Sequence, residues 1–193
     1  MPIPLFSAPE ASLDDLLQVP DGAKAEIVNG KLVLMPPTGI EPGFAGDEVF
    51  VSLREYARRT RNGRAVGDNK GFRVDLPHRK SFSPDAAYFL GKPTGMRFYD
   101  GAPVFAVEVR SENDYGASAE TEMAAKRADY FACGTLVVWD VDLIGDEESE
   151  NIIRVYRANE AQPTIYRSGE IAEAEPALPG WEFPVDNLDD LLD

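Results

Sequence analysis

Asp85 and Glu108 are the residues whose types and spacing could do chemistry in this chain of 193 residues. Glu108 interrupts "VFAVEV", Val104 to Val109, an aromatic, small and β-branched run that reads as a buried strand. Side chains alternate along a strand, so Glu108 and Arg110 take one face while Val107 and Val109 take the other. The charged face must meet something polar: a structural salt bridge, or a metal or phosphate site. Asp85 opens a second strand-like run, "DAAYFL" at 85–90. If the two strands are antiparallel neighbours, the start of one lies beside the end of the other and Asp85 approaches Glu108. Two carboxylates on a rigid sheet suit Mg²⁺, with Mn²⁺ as a substitute, and Arg110 completes the polar face. Carboxylates at strand ends are also common without any metal, so the structural reading stands beside the chemical one.

Several elements must position these groups. "SLDDLL" gives a short capped helix at 12–18, and "NLDDLL" at 187–192 echoes it as a second capped turn. "AEIVNGKLVLMP" is two apolar runs around Asn29-Gly30, the signature of a tight hairpin. From Gly43 to about Asn62, Val49, Phe50, Leu53 and Ala57 recur at helical spacing, with Gly63 as the stop. Short β pieces at 64–67 and 70–76 follow, then the two site strands. A helix at 118–132 closes at Gly134, a buried strand "TLVVWDVD" spans 135–142, and "IIRVYR" precedes a Pro-rich acidic tail. This order predicts an α/β domain with a mixed sheet. One domain covers 1–193: the helix at 12–18, a core over about 24–157 and an acidic C-terminal segment at 158–193. The glycines are dispersed, which excludes a nucleotide cofactor bound by a Gly-rich loop.

The lone Cys133 excludes a disulfide framework and reads as a small packed side chain. The single His78, in "LPHRK", excludes histidine-cluster metal sites and reads as an exposed turn residue; Trp139 and Trp181 read as core. The N-terminus has neither a basic start nor a long apolar run, and no stretch reaches the roughly 20 apolar residues of a membrane span, so a cytoplasmic location is expected. The formal charge of −15 opposes indiscriminate nucleic-acid binding. One stretch is nevertheless basic: residues 54–80 carry nine Lys and Arg against three Asp and Glu. Arg58, Arg59 and Arg61 are its best candidates for DNA contact, against the plainer reading of an exposed helix end.

"SPD", 22 residues and then "EVRS" resemble the PD-(D/E)XK nuclease core, in which a Pro-Asp and a Glu-x-Lys lie on adjacent strands after an initial helix. Pro84-Asp85 and Glu108-Val109-Arg110 match, with Arg where the superfamily commonly has Lys. An arginine stays protonated and cannot serve as a general base. "MPPTGIEPG", "FSPDAAYF", "PVFAVEVRSENDYGASAETEMAAKRADYFACGTLVVWDVD", "VYR" and "LPGWEFPVD" are similar, in that order, to the Uma-two family of restriction-endonuclease-like proteins, from about Leu13 to Leu192. That family carries, after the Glu strand, a helix with a lysine four residues before a tyrosine, then a Gly and a strand with Trp. Lys126, Tyr130, Gly134 and Trp139 fit, so the resemblance implies that Lys126 supplies the missing lysine. Lys126 and Tyr130 share one helix face, as do Glu122 and Lys126, an ordinary surface pair. The family's early acidic position maps onto Glu41, with Asp47 and Glu48 as competitors; Glu41 precedes Pro42 and is expected to be extended.

The resemblance thus implies a restriction-endonuclease-like fold, a mixed β-sheet flanked by helices with an N-terminal β-hairpin. It also implies a metal-dependent endonuclease acting on DNA phosphodiester bonds. Asp85 and Glu108 would hold Mg²⁺, Lys126 and Arg110 would stabilise developing charge, and Glu41 would join them. DNA is the expected partner, a homodimer is an admissible assembly, and no membrane is involved. The alternative is a catalytically degenerate module of the same fold that binds DNA or a protein partner.

Overall fold

The structure, a computed structural model, describes residues 10–19, 23–92, 94–146 and 151–189. Residues 1–9, part of the N-terminus read above for targeting signals, lie outside the described residues, as does the end of the "NLDDLL" echo.

Helix α1 (Leu13–Leu17) is capped by Ser12, whose backbone N–H and hydroxyl both donate to the Asp15 carboxylate. The hairpin follows as β1 (Ala25–Val28) and β2 (Lys31–Leu34). Its turn residues sit at φ +50° for Asn29 and +69° for Gly30, the left-handed pair that matches the strand twist. Helix α2 (Ile40–Thr60) starts earlier than the periodicity predicts and takes in Glu41 and Pro42. A proline lacks only an N–H, and in the first helical turn that N–H has no intrahelical partner. Glu41 is therefore helical and exposed rather than extended. Ala45, Val49, Leu53 and Tyr56 form the buried stripe of α2. Arg61 at φ +53° closes it, two residues before the expected stop.

Strands β3 (Arg64–Gly67), β4 (Phe72–Arg73), β5 (Ser81–Phe82), β6 (Ala86–Phe89), β7 (Tyr99–Asp100) and β8 (Phe105–Val109) follow. Helix α3 (Ala117–Ala132) then carries the chain to β9 (Val137–Asp142), β10 (Ile152–Arg157), β11 (Thr164–Arg167), β12 (Ile171–Glu173) and β13 (Glu182–Pro184). The main sheet is mixed, in the order β11-β10-β9-β8-β6-β3. Within it β6 and β8 are antiparallel, while β8 and β9 are parallel and joined through α3.

The alternation read in "VFAVEV" holds. Val107 and Val109 pack with α2, whereas Ala106 on the other face packs with Tyr130 of α3. The core does not end near residue 157. Ala172, Leu178, Trp181, Phe183, Val185 and Leu188 join it, and the Trp181 ring lies 5.0 Å from Trp139 and 5.5 Å from Phe105. The segment's charges are confined to the positions between these apolar ones, so an acidic composition coexists with a buried face. Among the described residues no helix is long and apolar enough to cross a membrane.

Candidate active site

Strand register creates the site. Ala86 pairs with Val107, so Asp85, one residue earlier, stands opposite Glu108, and the Asp85 backbone N–H donates to Val107 O at 3.0 Å. The Asp85 side chain turns toward the same strand and accepts the Val109 N–H on Oδ2 at 2.7 Å. Gly67 pairs with Ala86, which sets Asp68 opposite Asp85 on the far side, and Glu108 pairs directly with Asp140 of β9. Four carboxylates, Asp68, Asp85, Glu108 and Asp140, thus lie in one row across four adjacent strands. Helix α2 passes this row at Gly46, where a Cβ would stand 3.6 Å from Asp85 Cβ.

Each carboxylate of the row has a cation. Lys126 extends from α3 to Glu108, its Nζ 2.8 Å from Oε2, and Tyr130, one turn later, donates its hydroxyl to Oε1 at 2.6 Å. The i, i+4 spacing gives both side chains the same face. Glu122 instead accepts a hydrogen bond from Ser118. Lys24, just before β1, lies 2.5 Å from Asp85 Oδ1 and 2.7 Å from Asp68 Oδ1. Asp140 is held by Arg110, through Nε at 2.7 Å and Nη2 at 2.8 Å.

Arg110 is therefore not brought to the Asp85–Glu108 pair. Its remaining donors go to Glu120 at 2.5 and 3.3 Å, and its guanidinium lies over the Tyr115 ring. The reason is legible in "VVWDVD": alternation puts Asp140 and Asp142 on one face of the parallel neighbour strand, beside Arg110. Glu41, Asp47 and Glu48 make no hydrogen bond or ion pair to Asp85 or Glu108 among the described residues.

The nearby acid is Glu26 of β1. Its Oε1 lies 3.0 Å from Lys126 Nζ and accepts the Ser83 N–H at 2.9 Å, and its Oε2 takes Arg79 at 2.5 Å. Arg79 continues to Asp129 at 2.7 Å, and His78, half exposed, meets the other oxygen of Asp129 at 2.7 Å. Glu26 interrupts the apolar run "AEIV" as Glu108 interrupts "VFAVEV", and that interruption was the available signal. Lys24, by contrast, carries no local signal.

Burial pushes the Glu108 carboxyl up; Lys126 opposes this, and the charges of Asp85 and Glu26 add to it, leaving the group above the usual carboxylate range. For Lys126, burial favours the neutral amine but Glu108 and Glu26 overrule it, so the ammonium is held above its ordinary value. Burial and the neighbouring Glu108 likewise raise Tyr130, which stays a phenol and donates. Lys126 in this state is a fixed positive charge rather than a proton acceptor. Among the described residues no three Asp, Glu, His or Cys side chains converge where one metal could be held. Lys24 bridges Asp85 and Asp68, and Lys126 bridges Glu108 and Glu26.

Apart from Lys70, which donates to the Asp68 backbone carbonyl at 2.8 Å, the basic residues of 54–80 divide in two. Arg73, Arg79 and Lys80 are paired with Asp100, with Glu26 and Asp129, and with Asp75. Arg54, Arg58, Arg59, Arg61 and Arg64 are exposed and form no salt bridge among the described residues. Arg58 and Arg59 lie at the end of α2 away from Gly46, about 18 Å along the helix from the row at 1.5 Å per residue, with Arg54 one turn nearer and Arg61 and Arg64 just past the helix end.

A mixed sheet with its acidic row at adjoining strand ends, covered by α2 on one face and α3 on the other, is the architecture of restriction-endonuclease-like proteins. The chain belongs to the Uma2 family, whose model, described as "Putative restriction endonuclease", matches residues 13–186. It is similar in fold to a crystal structure from Anabaena variabilis described as "a putative nuclease belonging to DUF820". The TM-score is 0.70 at 17% identity, with 92% of this chain and 97% of that chain covered. No curated protein matches the chain.

Proposed function

We propose that the chain is a divalent-metal-dependent nuclease that hydrolyses DNA phosphodiester bonds at the Asp85–Glu108 row. The observation that carries this reading is the convergence of two strand-end carboxylates and a helix-borne ammonium: Asp85 opposite Glu108, and Lys126 Nζ 2.8 Å from Glu108. The donor set suits Mg²⁺, a hard cation that accepts one or two carboxylates and keeps several waters. Two ion-paired clusters meet at the pair, Asp68 and Asp85 on Lys24, and Glu26, Glu108 and Asp129 on Arg79 and Lys126, so that, leaving His78 aside, five carboxylates stand against three cations. Each cluster has a formal excess of one negative charge, and one divalent ion between them would balance both.

Bound there, the ion supplies Lewis-acid neutralisation of phosphate oxygens and a more acidic water. The chain's own residues do the rest. Asp85, held by the Val109 N–H, and Glu108, held by Tyr130, fix the position of the ion. Lys126 keeps its proton and places positive charge where the pentacovalent phosphorus gains negative charge. Hydrolysis adds the water oxygen to phosphorus and breaks one P–O ester bond; the proton that the water loses passes to solvent, and solvent returns one to the released alkoxide oxygen. The arginines at the end of α2 are about five nucleotides along a strand from the row, at 3.4 Å per nucleotide, so their contribution is to hold flanking backbone.

The test is calorimetric titration with Mn²⁺, together with cleavage of supercoiled plasmid, for the parent, Asp85→Ala and Glu108→Ala. Metal binding and cleavage that both require the two carboxylates support the reading. One observation favours a second reading, a degenerate module that binds DNA or a protein partner without chemistry: all four oxygens of Asp85 and Glu108 already accept hydrogen bonds from the chain. DNA binding in a folded parent that takes up no metal would decide for it.

A further inference from the structure

Lys24 occupies the Asp85 oxygen that the backbone leaves open. Oδ2 of Asp85 is engaged by the Val109 N–H, and Oδ1 by Lys24 at 2.5 Å. The same ammonium already lies 2.7 Å from Asp68 Oδ1. The two carboxylates differ in setting: the Asp85 side chain is 13% exposed and that of Asp68 38%. Asp68 stands on the wall of a cavity of about 260 Å³, beside Asp47, Lys70 and Tyr99. It is steadied there by the Asn69 N–H at 2.6 Å and contacted by Thr38 Oγ1 at 3.5 Å. A lysine resting on Asp68 alone would therefore be partly solvated and still paired.

Building on the nuclease reading, we propose that Lys24 is an internal counter-ion of Asp85 that a divalent cation displaces, and that Asp68 is the residue that receives the displaced ammonium. A divalent ion and an ammonium cannot hold the same carboxylate oxygen, because like charges at that separation in a part-buried site repel strongly. The lysine stem has four flexible carbons, and its second partner is already in contact, so the exchange needs rotamer changes and no backbone movement. Lys126 does not share this freedom. Its second partner, Glu26, is buried and tied to Arg79 and the Ser83 N–H, so Lys126 stays at the phosphate side of the site. Asp68 then sets metal affinity without being a metal ligand, by giving Lys24 somewhere to go.

The experiment is Mn²⁺ calorimetry on the folded parent, Lys24→Met, Asp68→Asn and the double variant, at one pH and ionic strength, with circular dichroism to confirm each fold. Lys24→Met is expected to tighten Mn²⁺ binding by about tenfold, because the competitor is gone. Asp68→Asn is expected to weaken it by about fivefold in the parent and by less than about twofold in the Lys24→Met background, the non-additivity expected of residues that act through each other. Equal weakening in both backgrounds would mean that Asp68 acts through its own charge or as a ligand, and would overturn the inference. So would weaker binding by Lys24→Met. Lys24→Gln, which is shorter but removes the charge and keeps a donor, replaces the Met variant if that one does not fold. These outcomes strike the inference alone. A folded parent that binds no Mn²⁺, or binding that survives Asp85→Ala, removes the metal reading itself and the inference with it.

Discussion

Glu26 and Glu108 hold the same ammonium group: Lys126 Nζ lies 3.0 Å from Glu26 Oε1 and 2.8 Å from Glu108 Oε2. The two carboxyls nevertheless shift in opposite directions. Burial raises both, but at Glu26 the Lys126 and Arg79 charges outweigh it, with the Ser83 N–H in support, and the group is held below its ordinary value. Glu108 has Lys126 on one oxygen and only a neutral phenol on the other, with Asp85 nearby, and burial wins. One carboxylate is built for stability and the other is left costly, as site residues often are.

Glu26→Gln is expected to destabilise the protein by about 3–5 kcal/mol at pH 7, because it strips a buried pair of cations of their shared partner. A depressed carboxyl contributes stability above its unfolded pKa, about 4.3, and loses it as pH falls through the folded value. The deficit of the variant should therefore shrink in acid. Thermal melts of parent and variant between pH 3 and pH 7, on the order of one pH unit apart, check the sign.

Glu108→Gln is expected to behave in the opposite way. A raised carboxyl favours folding while it is protonated, below about pH 4.3, and that contribution is lost as pH rises through the folded value. The variant, which never ionises there, should melt close to the parent in acid and above it at about pH 8. A parent that remains the more stable protein at the alkaline end would mean that the Lys126 ion pair outweighs desolvation.

Arg110→Lys keeps the charge but loses the two-pronged grip on Asp140, which is 1% exposed. A cost of about 1–3 kcal/mol in denaturant unfolding is expected. Mn²⁺ affinity should stay within about twofold of the parent, since Arg110 does not touch Asp85 or Glu108. A large loss of metal affinity without loss of stability would return Arg110 to the reaction.

Arg58, Arg59 and Arg61 changed together to Ala should lower the slope of log affinity for duplex DNA against log salt by about two to three, since each phosphate contact adds about 0.9. Fluorescence anisotropy across a salt series reads this directly. An unchanged slope would take the end of α2 out of DNA binding.

Trp181→Ala should cost about 3–5 kcal/mol, because the ring packs against Trp139, Phe105 and Phe183 and leaves a large cavity. A chain cut after Arg157 should not fold cooperatively; a single sharp melt from that fragment would show the C-terminal segment to be dispensable.

The sequence by itself determined what depends on local period and local chemistry. Asn29-Gly30 specified the hairpin, the alternation in "VFAVEV" assigned Glu108 and Val107 to opposite faces, and the i, i+4 spacing put Lys126 and Tyr130 on one helix face. Antiparallel pairing of the two site strands is only a condition at the level of sequence; the structure supplies it and sets Asp85 opposite Glu108. Only the tertiary structure decided which charges meet. Lys24 reaches Asp85 across 61 positions, Arg79 reaches Glu26 across 53, and Arg110 turns to Asp140 across 30. An ion pair needs only a few ångströms of approach, and in a chain this rich in charge many partners are compatible with the same pattern. The same holds for the C-terminal segment, whose acidic composition is a surface property. Its place in the core rests on Trp181 and Phe183 meeting Trp139, a contact between residues about 40 positions apart that no local period encodes.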